Sequence, residues 1–281
     1  MSPTAPLSSR RLLFRSGELR RGPHSLELRP ADAGWQFSGL TVITLAAGET
    51  YSVGTDGVES GVLPLRGAAS VEVDGESYAV ERHGSVFDGA ADFVYVPLGS
   101  TARIVSTTGG EYALPSSRAT RRLRAAHVPA SAVPVVQRGA GNCARTVRNF
   151  CGPDVVEADK LIAVEIVTPA GHWSSYPPHR HDREADDELP LEEVYYFRTR
   201  DPHGFGLHAV YDPHPAGSID ANVSMVQDGD LVVVPRAFHG PTVAGPGYDL
   251  YYLNVLAGPA PVRELRFCDD PAHAGIRDSW T

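Results

Sequence analysis

The sequence predicts an all-β protein, built as two similar β-barrels in tandem. Short alternating apolar runs recur along the chain, 28 glycines and 23 prolines punctuate them, and the two halves repeat one another. The runs fall at 41–45, 71–73, 78–80, 93–96, 161–167, 194–197, 231–234 and 248–254. Alternation marks a strand with one buried face, because successive side chains point to opposite sides. Asp74-Gly75 lies between two such runs and predicts a two-residue hairpin turn. No long helical period is present; only 116–126 carries a faint one.

The repeat sets the layout. Thr41 to Gly48 reads TVITLAAG and Val164 to Gly171 reads VEIVTPAG; FVYVPLGST ends at Thr101 and LVVVPRAFH ends at His239. Each half runs strand, x-Ala-Gly turn, hairpins, then an apolar strand closed by Val-Pro. The expected division is a first barrel over 1–125, a connector over 126–150 and a second barrel over 151–281.

Composition narrows the partners. At 281 residues and 42% hydrophobic, the chain can bury a sizeable core. No run approaches the ~20 apolar residues that span a bilayer. The first fifteen residues have arginines but no apolar core for secretion, so a frayed leader is expected there rather than a transit peptide. A formal charge of −9 argues against nucleic acid, which needs a basic face. An anionic small substrate would have to meet arginines, since Lys160 is the only lysine; that scarcity also argues against Schiff-base chemistry. Cys143, Cys151 and Cys268 are scattered and odd in number, which predicts reduced thiols in a cytoplasmic setting. A homo-oligomer is left open.

A Gly139-x-Gly141-x-x-Ala144 pattern mimics a dinucleotide fingerprint. That fingerprint needs a following helix, and Cys151-Gly152-Pro153 arrives too soon for one.

The most specific stretch is HWSSYPPHRHD, residues 172–182. On a strand, His179 and His181 present two imidazoles to one side. After an acidic loop, Glu192-Glu193-Val194-Tyr195-Tyr196-Phe197 returns. Only one of the two glutamates can share the histidines' face, and parity leaves both open; the other is expected to be a solvated edge charge. His239 follows the buried 231–234 run and its proline, where the chain can turn back inward. Three imidazoles and a carboxylate suit a single divalent ion, Zn, Mn, Fe or Ni, with open positions for substrate oxygens. The first half lacks this set: no His-x-His follows Gly48, and Thr101 stands where His239 would fall. His24, His83, His127, His203, His214 and His273 read as surface or loop residues. His172 and His208 are near enough in sequence to be substrate groups.

His-x-His, a later Glu, and Gly-x5-Pro closed by His together resemble the two motifs of the cupin superfamily. The His181-to-Glu193 gap is longer than usual there, and Pro235-to-His239 is one residue shorter. With WSSYPPHRHD, LEEVYYF, GFGLHAVY, DGDLVVVPRAFH, PGYDLYYLNVLAGP and RGAGNCARTVRN, the chain resembles the 5-deoxy-glucuronate isomerases of bacterial inositol catabolism. The resemblance is strongest over 138–259. It implies a bicupin with its metal in the C-terminal barrel. In the related uronate ketol-isomerases of pectin breakdown, the ligand glutamate precedes Val-Tyr, which matches Glu193-Val194-Tyr195 and favours Glu193 over Glu192.

The implied reaction converts 5-deoxy-D-glucuronate to 5-dehydro-2-deoxy-D-gluconate, an aldose–ketose isomerisation through an enediol, with a hydride shift as the alternative route. Glu165 and Tyr248 are the candidates for the catalytic proton transfers, and His172, Tyr176, His208 and Arg236 for holding the sugar. Tyr252 is a further hydrogen-bond donor. Arg236 is preferred to Arg180 for the substrate carboxylate, because Arg180 alternates away from its neighbouring histidines. The rival functions are a metal-dependent cupin dioxygenase, another uronate ketol-isomerase, and a sugar-binding protein without activity.

Overall fold

A computed structural model describes residues 6–213 and 218–280. His214 and the first five residues of the leader lie outside the described residues. Strands form where alternation and turn chemistry place them. Asp74 and Gly75, at φ +53° and +82°, make the tight turn between Val58–Val73 and Glu76–Arg82. The 93–96 and 231–234 runs are the strands Phe93–Val96 and Leu231–Val234. Among the described residues there is no α-helix, only short 3-10 turns. The faint helical period at 116–126 is overridden: Ser116 and Ser117 are paired across to Gly39 and Ser38. Cross-strand pairing and burial outweigh a weak local propensity.

The strands make three sheets. Nine belong to the first half. Seven form a sheet running Leu13–Phe14, Leu231–Val234, Glu192–Thr199, Leu250–Ala257, Ile162–Thr168, Arg145–Cys151, Val135–Arg138. Six form a facing sheet, including His179–Arg180, Gly206–Pro213 and Phe238–Ala244. The expected connector is itself ordered structure. Its first residues, Ala126–Val128, pair with Phe93–Val96, while Val135–Arg138 and Arg145–Cys151 extend the seven-stranded sheet. Leu13–Phe14 also crosses over to pair with Leu231–Val234. The glycine pattern at 139–144 sits in a 3-10 turn between two strands. Gly139 has φ +74° there, and a Cβ on it would fall 2.3 Å from the Cys143 carbonyl oxygen; the glycine serves the turn, not a pyrophosphate.

The strand registers repeat between the halves. Leu45 pairs with Gly110 as Thr168 pairs with Leu250, and these strands carry the two copies of the sequence repeat. Two glutamates, Glu59 buried and Glu192 half-buried, close the seam reciprocally. Glu59 accepts the main-chain N–H groups of Asp159, Lys160 and Leu161 at 2.6–2.7 Å. Glu192 accepts those of Gln36, Phe37 and Ser38 at 2.7–2.9 Å. Each carboxylate thus holds the chain entering the other half's repeat strand. The expectation that Glu192 is a solvated edge charge is corrected by these three bonds: burial pushes its pKa up, and the main-chain donors pull against that. Arg148 donates to the Val86 carbonyl and Arg198 reaches Glu111 across the same seam.

Candidate metal centre

The strand pairing brings the ligand residues together from three segments. Glu193 pairs with Val234 on one side and Leu256 on the other, so it shares a face with Tyr195, Phe197, Tyr252 and Asn254. His179 pairs with His239 on the facing sheet. His181, Glu193 and His239 are all buried, and their donor atoms lie within 4.8 Å of one another. His181 Nε2 is 2.8 Å and His239 Nε2 3.0 Å from Glu193 Oε2. The second contact is too poorly aligned for a hydrogen bond, and both His239 nitrogens lack a partner. An unpaired buried polar group costs about 1–3 kcal/mol, so a cluster like this asks for something between its donors.

The surroundings fit a divalent ion. His181 Nδ1 donates to the Leu191 carbonyl at 3.0 Å, which fixes the ring and leaves Nε2 facing the cluster. Asn254 donates to Glu193 Oε1 at 2.7 Å, leaving Oε2 toward the histidines. Burial alone would raise the Glu193 pKa, but hydrogen bonding by His181 and the nearby His239 hold it well below the carboxylate range. Burial opposes charging both imidazoles; His239 is pushed down, while the bonds to Glu193 and Leu191 raise His181. A carboxylate held ionised among buried imidazoles is the donor set such an ion takes.

The fourth expected ligand stands beside this group. The His179 ring is 4.4 Å from that of His239 and 4.7 Å from Phe267, and its Nδ1 is 3.4 Å from the Pro177 carbonyl oxygen. The long gap from His181 to Glu193 folds around buried Glu188, which accepts the N–H groups of Asp182 and Arg183. Arg180 turns to the same Glu188, as its alternation predicts.

The remaining candidates divide. His208 is fully buried; its Nδ1 is 2.8 Å from Thr242 Oγ1 and its ring 4.5 Å from that of Tyr195. Arg236 lies at the surface and lines a cleft of about 360 Å³ together with His181, Trp35, Phe37 and Pro259. Glu165 is not brought to the site. It faces the opposite side of its strand, into the seam, where it binds Arg82 and accepts the Tyr251 hydroxyl at 2.8 Å. Tyr248 and His172 are at the far end: Tyr248 lies just before the strand Leu250–Ala257, whose first residue is about 20 Å, at ~3.4 Å per residue, from the Leu256 that pairs with Glu193. His172 binds the Ala144 carbonyl there. Tyr176 packs between Trp173 and His273.

Sequence reasoning named Tyr252 but missed Asn254 and the hydroxyls around it, those of Tyr195, Ser174 and Ser175. Ser175 Oγ is 3.2 Å from both the Tyr195 and Tyr252 hydroxyls, and Tyr252 donates to Ser174 Oγ at 2.9 Å. The signal for Asn254 was present: it is the one amide in the apolar run LYYLNVLA, residues 250–257.

The model of the KduI/IolB family matches residues 12–276. The chain belongs to the KduI/IolB family. The 5-deoxy-glucuronate isomerase of Geobacillus kaustophilus is 37% identical over 275 residues, covering 96% of each chain. That of Lacticaseibacillus casei is 33% identical over 258 residues, covering 90% of this chain and 92% of its own. An IolB-like protein from Salmonella typhimurium superposes with a TM-score of 0.86 at 33% identity, over 95% of this chain and all of that one. A Lactobacillus farciminis oxalate decarboxylase shares only the fold, cupin-like and all-β, at a TM-score of 0.63 and 12% identity over 92% of this chain and 88% of its own. Among the described residues no helix is long and apolar enough to cross a membrane.

Proposed function

We propose that this chain isomerises 5-deoxy-D-glucuronate to 5-dehydro-2-deoxy-D-gluconate in inositol catabolism, as a bicupin with one divalent ion in its C-terminal barrel. The observation that carries the reading is 37% identity over 96% of the chain with a relative named for that activity, joined to a buried His181–Glu193–His239 cluster. The barrels would comprise roughly 1–125 and 151–281, with Leu13–Phe14 exchanged into the second sheet. His179, beside His239, would complete the ligand set.

The bound ion would supply Lewis-acid polarisation of the aldehyde and its neighbouring hydroxyl. Zn, Mn, Fe and Ni all suit the donors. The chain's own residues do the rest. Asn254 and the Leu191 carbonyl hold Glu193 and His181 in place. Arg236, at the cleft that His181 lines, would meet the substrate carboxylate. With Glu165 in the seam and Tyr248 at the far end, hydrogen bonding to the sugar falls to the interior groups: the Tyr195, Tyr252 and Ser175 hydroxyls and His208. Burial keeps the Tyr195 and Tyr252 hydroxyls protonated; Tyr252 gives its proton to Ser174 and so presents lone pairs, while Tyr195 can act as a donor.

The test is direct. Protein reconstituted with each of these metals is incubated with 5-deoxy-D-glucuronate, and the C1 aldehyde is followed by NMR. Its loss, with the ketose product appearing, is expected for at least one metal; no conversion with any of them would overturn the reading.

A further inference from the structure

The buried imidazole of His208 has one nitrogen with no partner. Nδ1 meets Thr242 Oγ1 at 2.8 Å, whereas Nε2 is enclosed and bonded to nothing. The residue is fully buried under the Tyr195 ring, and Phe197 closes a second side at 6.0 Å between ring centroids. His208 pairs with Thr242, and Val210 with His239, on neighbouring strands, which puts the imidazole deeper along the same interior face as the cluster.

Hydrogen bookkeeping fixes the tautomer. A neutral imidazole has one N–H and Thr242 one O–H. If Nδ1 donated to the hydroxyl, both the Thr242 proton and the Nε2 lone pair would be left to find partners in the interior. If the hydroxyl donates to Nδ1, only an Nε2–H remains without one. The second arrangement leaves fewer groups unpaired and points a single donor inward. Burial, followed by the field of His239, holds the His208 pKa down to about 3, so the ring is neutral under ordinary conditions. A neutral imidazole N–H of this kind serves as a donor to an oxygen that gains charge during proton transfer.

We infer that His208 donates a hydrogen bond from Nε2 to an oxygen of the bound sugar acid, and that Thr242 is the positioning residue that sets its tautomer. The inference rests on the isomerase reading for the identity of the ligand. It replaces seam-bound Glu165 and distant Tyr248 with an interior group for the polar contact to the substrate.

The test uses His208→Gln, which keeps an N–H donor, and the double variant His208→Leu/Thr242→Val, which removes both partners. Three quantities are measured: kcat and KM for 5-deoxy-D-glucuronate with the metal-loaded enzyme, calorimetric binding of D-gluconate, which has no aldehyde to isomerise, and the thermal midpoint of the metal-free protein. Taking out one donor to a developing charge costs about a hundredfold in kcat/KM, and that loss is expected of the double variant. D-gluconate should bind about tenfold more weakly, the effect of one lost hydrogen bond. The thermal midpoint should hold or rise, since removing both members of a half-satisfied buried pair is close to neutral. His208→Gln should recover most of the loss.

A fallen midpoint with unchanged kcat/KM and D-gluconate affinity would overturn the inference and leave His208 a packing residue. So would a His208→Gln variant no better than the double variant. Wild-type protein that binds D-gluconate through His208 yet never turns over 5-deoxy-D-glucuronate would overturn the isomerase reading while upholding the contact.

Discussion

The two halves repeat one register and differ in what they put inside it. In the second half, Tyr195 and Val164 are both paired with Asn254, with Glu193 two residues before Tyr195. In the first, the corresponding places along the repeat hold Leu114, Thr41 and Val62, with Ser60 two residues before Val62. Ser60 spends its hydroxyl on the Pro115 carbonyl. The rest of that interior is mostly aliphatic, packed from Ile43, Leu45, Val71, Val94, Ile104 and their neighbours, with the Tyr112 hydroxyl bonded to Ser106 at its end. One interior is a closed apolar core; the other buries imidazoles, carboxylate, amide and hydroxyls. Apolar packing stabilises by roughly 25 cal/mol per Å² removed from water, whereas an unsatisfied polar interior costs stability and is kept for chemistry. We infer that the first half supports the second, through the reciprocal Glu59 and Glu192 clamps.

The largest break in this comparison is expected from the cluster itself. Glu193→Gln should lower turnover of 5-deoxy-D-glucuronate by about 10³-fold, the scale for losing a charged group at a reacting centre. Ser60→Ala, its counterpart, should leave kcat/KM unchanged; steady-state kinetics on both variants checks the contrast.

Next come the clamps. Glu59 gathers three N–H groups, the Tyr95 hydroxyl and the Ser117 hydroxyl, whereas Glu192 gathers the three N–H groups of 36–38 and takes a Ser38 hydroxyl on its carbonyl. Glu59→Gln should cost about 3 kcal/mol and Glu192→Gln about 2 kcal/mol, on the scale of hydrogen bonds to a buried charge. Urea unfolding should rank them in that order, and equal or reversed losses would remove the claim that the seam depends on these carboxylates.

A smaller effect is expected at Asn254. Asn254→Leu copies the first half's Leu114 and frees Glu193 Oε1. Metal affinity should fall about 10–100-fold, as it does when a ligand's supporting partner is lost, while thermal stability changes little; competition with a metal chelator reads this.

The smallest is a pH effect at the seam. Asp159 is held at about 2, below its usual 3.8: burial works against it, and the N–H of Thr120, the Arg121 guanidinium and N–H, and the Thr120 hydroxyl outweigh that. A depressed carboxylate gives stability that is complete above about 4 and lost as pH falls through about 2. The difference in thermal midpoint between wild type and Asp159→Asn should therefore be constant at neutral pH and shrink over that acidic window. A difference that grows as the pH falls would contradict the assignment.

Much of this was legible beforehand. Strands, the Asp74-Gly75 turn and the false glycine fingerprint follow from period and turn chemistry, which are local. The grouping of His181 and His239 with a glutamate follows from parity and a resemblance. The exclusion of Glu165 and Tyr248 does not, because it depends on which face of Ile162–Thr168 meets the other half and on how far Leu250–Ala257 runs before its pairing with Glu193. A strand of buried residues on both faces, as Ile162–Thr168 is, carries no alternation to read. The strands inside the connector were not legible for a related reason. Val135–Arg138 is the edge strand of the seven-stranded sheet and Arg145–Cys151 lies next to it, and only the sheet they join gives them their form.

In the proposed function, one divalent ion in the second half drives isomerisation. The direct measurement is a titration of metal into metal-free protein with 5-deoxy-D-glucuronate present, following the C1 aldehyde by NMR. The predicted result is a rate that climbs linearly and breaks at one equivalent per chain, with no rise in Glu193→Gln. Full-rate conversion by the metal-free protein, or a break at two equivalents, would contradict it.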